Sequence, residues 1–76
     1  MQRYFFDLTV NGAGEIDHEG VPFSDPDAAR LEAYRVATEL ASEPNGREKT
    51  VLIRIRGEET GYFCEVELNI VVRNLD

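Results

Sequence analysis

The chain has 76 residues, of which 42% are hydrophobic and 30% charged, and its formal net charge at pH 7 is −7. A chain of this length is expected to form a single domain over residues 1–76 with a small core. The acidic balance disfavours binding to nucleic acid and to anionic membranes, since both depend on a basic surface. The lone cysteine excludes an internal disulfide, so we expect self-association into a homodimer to add stability.

The same composition bears on the compartment. No apolar run approaches the ~20 residues that a membrane-spanning helix requires. No signal-peptide pattern is visible, because an aromatic strand and an aspartate follow Arg3 at once. Together with the lone thiol, these features predict a cytoplasmic protein without membrane contact.

The first predicted element is a strand over residues 3–10, followed by a turn and a broken second strand over residues 15–23. A three-residue loop, residues 12–14, would pair Val10 with Ile16 and keep the apolar residues of both strands on one face. A two-residue loop would turn Ile16 to the opposite face. The pattern therefore favours the three-residue loop, with Gly14 in the left-handed conformation.

The next predicted element is a helix with signals at both ends. Asp25 is the expected N-cap and Pro26 the first helical residue, and the sequence Pro-Asn-Gly at residues 44–46 is expected to end the helix. Arg30 lies at the edge of the apolar stripe, beside Tyr34 and Ala41, and Leu31 falls roughly opposite it. The stripe itself consists of Ala29, Ala33, Val36, Ala37 and Leu40.

Two further strands are predicted, over residues 50–56 and 62–72, joined by a turn with the sequence EETG. Pairing Gly57 with Tyr62 sets Arg54 against Glu65 and brings the apolar residues of both strands to one face. The predicted fold is therefore α+β, with the order ββαββ and an antiparallel sheet that carries one helix on one face. The strand order stays open.

The N-terminal half also carries recognisable sequence motifs. RYFF at residues 3–6, Asp-x-Glu-Gly at residues 17–20 and an Asp-x-x-x-Ala-Arg helix start at residues 25–30 are present. With the hairpin that follows, these motifs resemble a family of small uncharacterised proteobacterial proteins, a domain of unknown function. The resemblance spans most of the chain and implies a bacterial, cytoplasmic, single-domain protein without assigning an activity. The layout of a hairpin followed by a helix is also similar to HicB-type antitoxins, which bind a toxin.

The sequence DHEG at residues 17–20 is a candidate for chemistry, because it combines two carboxylates, an imidazole and a glycine. Asp17 and Glu19 share a face and are the candidate metal ligands, whereas His18 points away from both in an unbroken strand. No further ligands occur at a recognisable spacing, so the interpretation we favour is a turn in which Asp17 accepts backbone hydrogen bonds. We expect no metal and no cofactor.

Two other features of the helix and the sheet suggest roles. Arg30 is expected to pair with Asp17 or Glu19 and so to join the turn to the helix as a structural staple; a contact with an anion or a partner is the alternative. Cys64 is expected to pack as a small buried hydrophobe rather than to act as a nucleophile.

The face of the sheet without the helix is the expected place for contact with a partner. Aromatic and aliphatic side chains there stand among charges of both signs, as in an interface with a protein or a second copy. The partner-binding candidates are Phe5, Leu52, Arg54, Arg56, Phe63 and Glu65. The alternative is that these are scattered exposed apolar residues without a function.

These observations predict a non-enzymatic interaction or regulatory module that self-associates through the edge or the outer face of its sheet. The first alternative is a partner-binding protein of the HicB antitoxin kind. The second is a small metal-dependent enzyme built around the DHEG turn, with Asp17 and Glu19 as ligands.

Overall fold

The computed structural model describes residues 1–44 and 47–75. Within these ranges the chain forms five strands and one helix: β1 Gln2–Val10, β2 Ala13–Glu15, β3 Val21–Phe23, α1 Pro26–Ala41, β4 Lys49–Gly57 and β5 Gly61–Ile70. The strand order is β2-β1-β4-β5, and β3 also pairs with β1. All pairings are antiparallel, and α1 packs on one face against β4 and β5. The predicted α+β class is confirmed, and the broken second strand is observed as two short strands, β2 and β3.

The hydrophobic core lies between α1 and the central strands. Its buried members are Tyr4, Ala29, Ala33, Ala37, Ala41, Val51, Ile53 and Ile55. Four of these are alanines on one side of α1, so the helix backbone can approach the sheet closely. Ala41 was expected at the edge of the stripe and is instead part of it, whereas Leu31 is 69% exposed as predicted.

Both ends of α1 are satisfied by side chains. The Asp25 carboxylate accepts the Ala28 N–H at 2.8 Å, which confirms the predicted N-cap. At the other end the buried Lys49 side chain donates from Nζ to the Leu40 carbonyl at 2.9 Å. A cation there completes a carbonyl that has no partner within the helix and is favourable beside the helix C-terminus. Of the predicted stop signal at residues 44–46, positions 45 and 46 lie outside the described residues.

The turn between β1 and β2 differs from the prediction. It is a two-residue loop, Asn11-Gly12, with φ of 51° and 85°, and it sets Leu8 opposite Glu15. Both central residues are left-handed, as in the hairpin turn for which Asn-Gly is the preferred sequence. The predicted three-residue loop with a left-handed Gly14 is therefore wrong. As a consequence Ile16 leaves the apolar face and is 62% exposed.

The turn between β4 and β5 is also one residue shorter than predicted. Gly57 pairs with Gly61, which has φ of 72°, rather than with Tyr62. A register shift between Ile55 and Arg56 then adds one residue to β5, so the predicted pairs further along, Arg54 with Glu65 and Ile53 with Val66, are confirmed. A β-bulge of this kind redirects side chains locally.

Because of the bulge, two aromatic residues lie on the faces of the sheet opposite to those predicted for them. Tyr62 pairs with Arg56 and lies on the outer face, although the alternation predicted it on the helix side. Phe63 packs against the core on the helix side, with its ring centroid 5.8 Å from that of Tyr4. The predicted place of Phe63 on the outer face is therefore wrong, because the extra residue shifts the phase of the alternation.

Candidate functional site

The outer face of the sheet, on the side away from α1, contains a polar cluster around Asp7. The carboxylate forms an ion pair with Arg56 at 3.1 Å and accepts the Tyr62 hydroxyl at 2.5 Å. The Arg56 guanidinium also lies over the Phe5 ring, 4.4 Å from its centroid. The cluster therefore links β1, β4 and β5, and both carboxylate oxygens of Asp7 accept hydrogen bonds.

The electrostatic state of Asp7 follows from these contacts. Its side chain is 12% exposed, and this burial by itself raises the pKa of the carboxyl. Hydrogen bonds from Tyr62, Arg56 and the Asp17 N–H outweigh the burial and lower the pKa below its ordinary value. Asp7 is therefore an acceptor held ionised by its neighbours.

Asp17 organises the loop between β2 and β3. One carboxylate oxygen accepts the Phe6 N–H at 3.0 Å, and the other accepts the Glu19 and Gly20 N–H groups at 3.0 and 3.1 Å. Burial raises the pKa of Asp17, but the three backbone hydrogen bonds lower it more, so the net shift is downward. Asp17 thus holds the loop against β1 with a single side chain.

The end of the DHEG sequence is fixed by backbone geometry. Gly20 has φ of 71°, and a Cβ at this position would lie 2.7 Å from Arg3 Cγ and 2.9 Å from Phe5 Cε1. The Arg3 guanidinium donates to the Glu19 and Gly20 carbonyls at 3.0 and 3.3 Å. The motif therefore requires glycine for its conformation and its close packing, while Glu19 takes part through its backbone.

The predicted candidates for metal binding do not converge on a site. Over residues 1–44 and 47–75 no group of three or more His, Cys, Asp or Glu side chains is placed to hold a metal ion. Both oxygens of Asp17 already accept backbone N–H groups, and the side chains of His18 and Glu19 are exposed. The observed contacts are those of a structural turn.

The predicted staple between the turn and the helix is not formed by Arg30. Its guanidinium pairs with Asp27 at 2.6 Å and lies over the Phe63 ring, 5.4 Å from the centroid. Hydrogen bonding to the neighbouring Cys64 side chain and to Asp27 raises the pKa of Arg30 above its ordinary value. Two other arginines contact the turn: Arg56 donates to the Asp17 carbonyl at 2.8 Å, and Arg3 donates to the Glu19 and Gly20 carbonyls. Arg30 was misassigned because Asp27, one turn earlier on the same helix, is its nearest acid.

The remaining partner-binding candidates lie on the outer face as expected. Their positions follow from the cross-strand pairs Phe5–Arg56 and Arg54–Glu65, and from Leu52 between β1 and β5. Arg54 and Glu65 form an ion pair at 2.9 Å. The outer face is thus largely occupied by groups that already have partners within the chain. Cys64 on the other face is half-buried against the core, rather than fully buried as expected.

The edge of β5 differs from that face. β5 spans ten residues at the end of the strand order, and no described strand pairs with its outer side. Apolar residues are exposed where it ends: Ile70 is 36%, Val71 54% and Val72 49% exposed. A long, unpaired and partly apolar strand edge is a template for pairing with another chain.

The hydrogen-bond pattern shows which groups of β5 face outward. The Thr50 N–H donates to Asn11 Oδ1 and the Thr50 C=O accepts the Asn11 N–H, each at 2.9 Å, so both groups point towards β1. Because these directions alternate along a strand, the odd-numbered residues of β4 from Lys49 to Ile55 bond to β5. Their partners are the even-numbered residues of β5. Glu65, Glu67 and Asn69 therefore direct their backbone N–H and C=O groups away from the sheet.

The fold and its contacts define a small α+β domain with one structured polar face and one open strand edge. The profile of a family described as a domain of unknown function (DUF6894) matches residues 3–69, so the chain belongs to that family. No curated protein and no solved structure matches the chain. In the described part of the chain, no helix is long and apolar enough to cross a membrane.

Proposed function

We propose that the chain is a small non-enzymatic interaction module of the bacterial cytoplasm that self-associates through the edge of β5. The observation that carries this proposal is the ten-residue edge strand with exposed apolar residues at its end. Pairing with a second strand would satisfy the outward N–H and C=O groups and would cover Val71 and Val72.

The charges and contacts elsewhere favour the edge over the outer face. On the outer face, Asp7, Arg56 and Tyr62 already satisfy one another, and Arg54 pairs with Glu65. Covering these groups with a partner would cost desolvation without offering them new hydrogen bonds. The edge of β5 instead offers backbone groups that pair with no strand among residues 1–44 and 47–75.

Sedimentation equilibrium of the purified chain over micromolar to millimolar concentrations tests the proposal. The monomer mass is 8.6 kDa, and we expect the average mass to rise towards twice that value with increasing concentration. An interface formed by one strand pair is small, so we expect a dissociation constant of roughly micromolar order. A constant monomer mass over the whole range would contradict the proposal.

Two results from native purification would point to the alternatives. Stoichiometric recovery of a small basic protein with the chain would favour the antitoxin-like function instead. Stoichiometric metal bound at the DHEG turn would favour the metal-dependent enzyme. Either result, with no self-association, would replace the proposed function.

A further inference from the structure

The edge of β5 limits how two copies can pair. Within β5, Glu65, Glu67 and Asn69 direct backbone groups outward, as the alternation from Thr50 requires, and a pairing that extends the strand past Ile70 would add Val71 and Arg73 to this set. In an antiparallel pair related by a two-fold axis, an outward residue of one copy must face an outward residue of the other. This condition leaves a few possible registers. Each is defined by the residue that lies on the two-fold axis and therefore faces its own equivalent in the second copy.

Repulsion between acidic residues excludes the registers in which the two-fold axis passes through Val66 or Glu67. With Val66 on the axis, Glu65 of each copy would stand opposite Glu67 of the other. With Glu67 on the axis, the two copies of Glu67 would face each other. Like charges directly opposite destabilise a strand pair, and the chain already carries a net charge of −7.

We infer that two copies pair through antiparallel β5 edges with Asn69 on the two-fold axis; this register rests on the proposed self-association. It sets Glu65 opposite Arg73 of the second copy and Glu67 opposite Val71. Glu65, Glu67 and Arg73 are exposed in the single chain, so each is accessible to a partner. The acidic residues of the edge then face a cation or an apolar residue rather than another acid.

The helix side of the strand agrees with this register. Val66 faces Val72 of the second copy, and Leu68 faces Ile70, so apolar residues meet apolar residues. Beyond Ile70, residues 71–75 pair with no strand in the part of the chain that the structure describes, and Val71 and Val72 are exposed. Pairing over residues 65–73 extends β5 through these residues and covers both.

The neighbouring registers are less complete. With Leu68 on the axis, Glu67 faces Asn69 and Glu65 faces Val71, so neither acid gains a cation. With Ile70 on the axis, Glu67 faces Arg73, but Glu65 faces Leu75 and, on the helix side, Val66 faces the polar Asn74. This register therefore loses the apolar match at Val66 and requires the strand to extend to residue 75.

The register is testable by disulfide trapping in a Cys64→Ser background, which removes the native thiol. Asn69→Cys places two thiols at the axis, and opposed strand residues lie within the ~7 Å that a disulfide can bridge between Cα atoms. Glu67→Cys is the matched control on the same edge and face, and the Cα atoms of its two copies would be about 14 Å apart in this register. With oxidised glutathione as oxidant, we expect covalent dimer at least tenfold faster for Asn69→Cys than for Glu67→Cys.

The outcomes separate the register from the self-association. Fastest trapping at Glu67→Cys, or at Leu68→Cys or Ile70→Cys in the same background, would overturn the register while leaving self-association in place. Equal slow trapping at all four positions, with a dimer still present in sedimentation, would place the contact elsewhere and overturn the register. Monomer in sedimentation with no trapping would overturn both.

A charge exchange gives a second, independent readout. We expect Arg73→Glu to weaken dimerisation about tenfold, because two symmetric Glu65–Arg73 contacts become repulsive. Combining it with Glu65→Arg and Arg54→Glu, which together keep an ion pair between positions 54 and 65, should restore the dissociation constant to within about threefold of the original. Combining Arg73→Glu with Glu67→Arg should not restore the dissociation constant, because Glu67 faces Val71 in this register. Recovery with Glu67→Arg and none with Glu65→Arg and Arg54→Glu would contradict the register.

Discussion

At one edge of the sheet β2 and β3 span three residues each, whereas at the opposite edge β5 spans ten. The short edge carries Pro22, which has no N–H to donate, and the intervening loop is drawn onto β1 by the Asp17 carboxylate. Both devices are ways in which sheet proteins prevent edge-to-edge pairing. β5 contains no proline or lysine, and its bulge lies near its start, at Phe63.

The difference between the edges separates the residues that maintain the fold from those available to a partner. The DHEG turn contains the residue types that chemistry uses, yet its carboxylate is saturated by backbone donors. The β5 edge contains no unusual side chains, yet no described strand pairs with its outer side, and Val71 and Val72, which follow it, are about half exposed. The proposed function therefore rests on the unpaired backbone of β5 and not on the acidic turn.

The short edge of the sheet, formed by β2, β3 and the loop between them and called the closed edge below, should lose stability when Asp17 is removed. Asp17→Ala leaves the N–H groups of Phe6, Glu19 and Gly20 without their acceptor, and we expect a loss of about 3 kcal/mol in the free energy of unfolding. Thermal unfolding should shift down by about 15 °C in a domain of this size. Glu19→Ala is the control, because that residue contributes through its backbone, and it should leave the midpoint nearly unchanged. Equal effects of the two substitutions would contradict the assignment.

Gly20 should be the next most sensitive position of the closed edge. Gly20→Ala adds a Cβ within 3 Å of Arg3 and Phe5 at a positive φ, and we expect about 2 kcal/mol of destabilisation in urea unfolding. Gly12→Ala is the matched control, since Gly12 also has a positive φ but no heavy atom lies within 4 Å of its added Cβ. We expect about 1 kcal/mol there from the backbone alone. A larger loss at Gly12 than at Gly20 would show that packing against β1 is not what the motif requires.

Acid should lower the free energy of unfolding, because the folded chain holds the carboxylates of Asp7 and Asp17 ionised. The pKa values of Asp7 and Asp17 lie below the ordinary value of 3.8 in the folded chain, so the unfolded chain binds more protons around that pH. Their contribution to stability is complete above the unfolded pKa of about 3.9 and is lost as the pH falls through the lower folded values. Asp7→Asn should make the free energy of unfolding depend less steeply on pH below about 5. An unchanged slope would contradict the role of Asp7.

The open edge should show the smallest effect on folding and a clear effect on association. Asn69→Pro removes an N–H that points away from β4, so the fold should retain its stability to within about 1 kcal/mol while the dimer is lost. Asn69→Ala keeps that N–H and should remain a dimer in sedimentation velocity. If the proline variant dimerises as well as the alanine variant, the β5 edge is not the interface.

Local signals in the sequence predict the helix and its cap well. Asp25 and Pro26 act through atoms only a few residues away, so their roles can be read without the tertiary fold. The alternation of Val51, Ile53 and Ile55 likewise predicts a strand buried on one side, as observed. In these segments the local preference and the tertiary packing agree.

The turns were harder to predict because two signals conflicted. Placing Ile16 on the apolar face favoured a three-residue loop, but the conformational preference of Asn11-Gly12 prevails and leaves Ile16 exposed. In the second hairpin the shorter loop and the bulge at Phe63 cancel, so the Arg54–Glu65 pair is correct although the turn was not. Strict alternation cannot reveal a bulge, because one extra residue only shifts its phase.

The contacts of Arg56 with Asp7 and Asp17 depend on pairing between strands far apart in sequence. Arg56 lies 49 residues after Asp7, and only the adjacency of β1 and β4 brings them together. Sequence patterns left the strand order open, so Arg30, which is close to the turn in sequence, was the more obvious candidate. Knowing that β1 and β4 are neighbours would have indicated Arg56.

Amide hydrogen exchange along β5 tests the central claim most directly. The N–H groups of Val66 and Leu68 bond to β4 and should exchange slowly at every protein concentration. Those of Glu67 and Asn69 face the open edge, and we predict that they exchange rapidly in dilute solution and become protected as the chain dimerises. Rapid exchange of Glu67 and Asn69 at concentrations where sedimentation shows a dimer would contradict pairing through this edge.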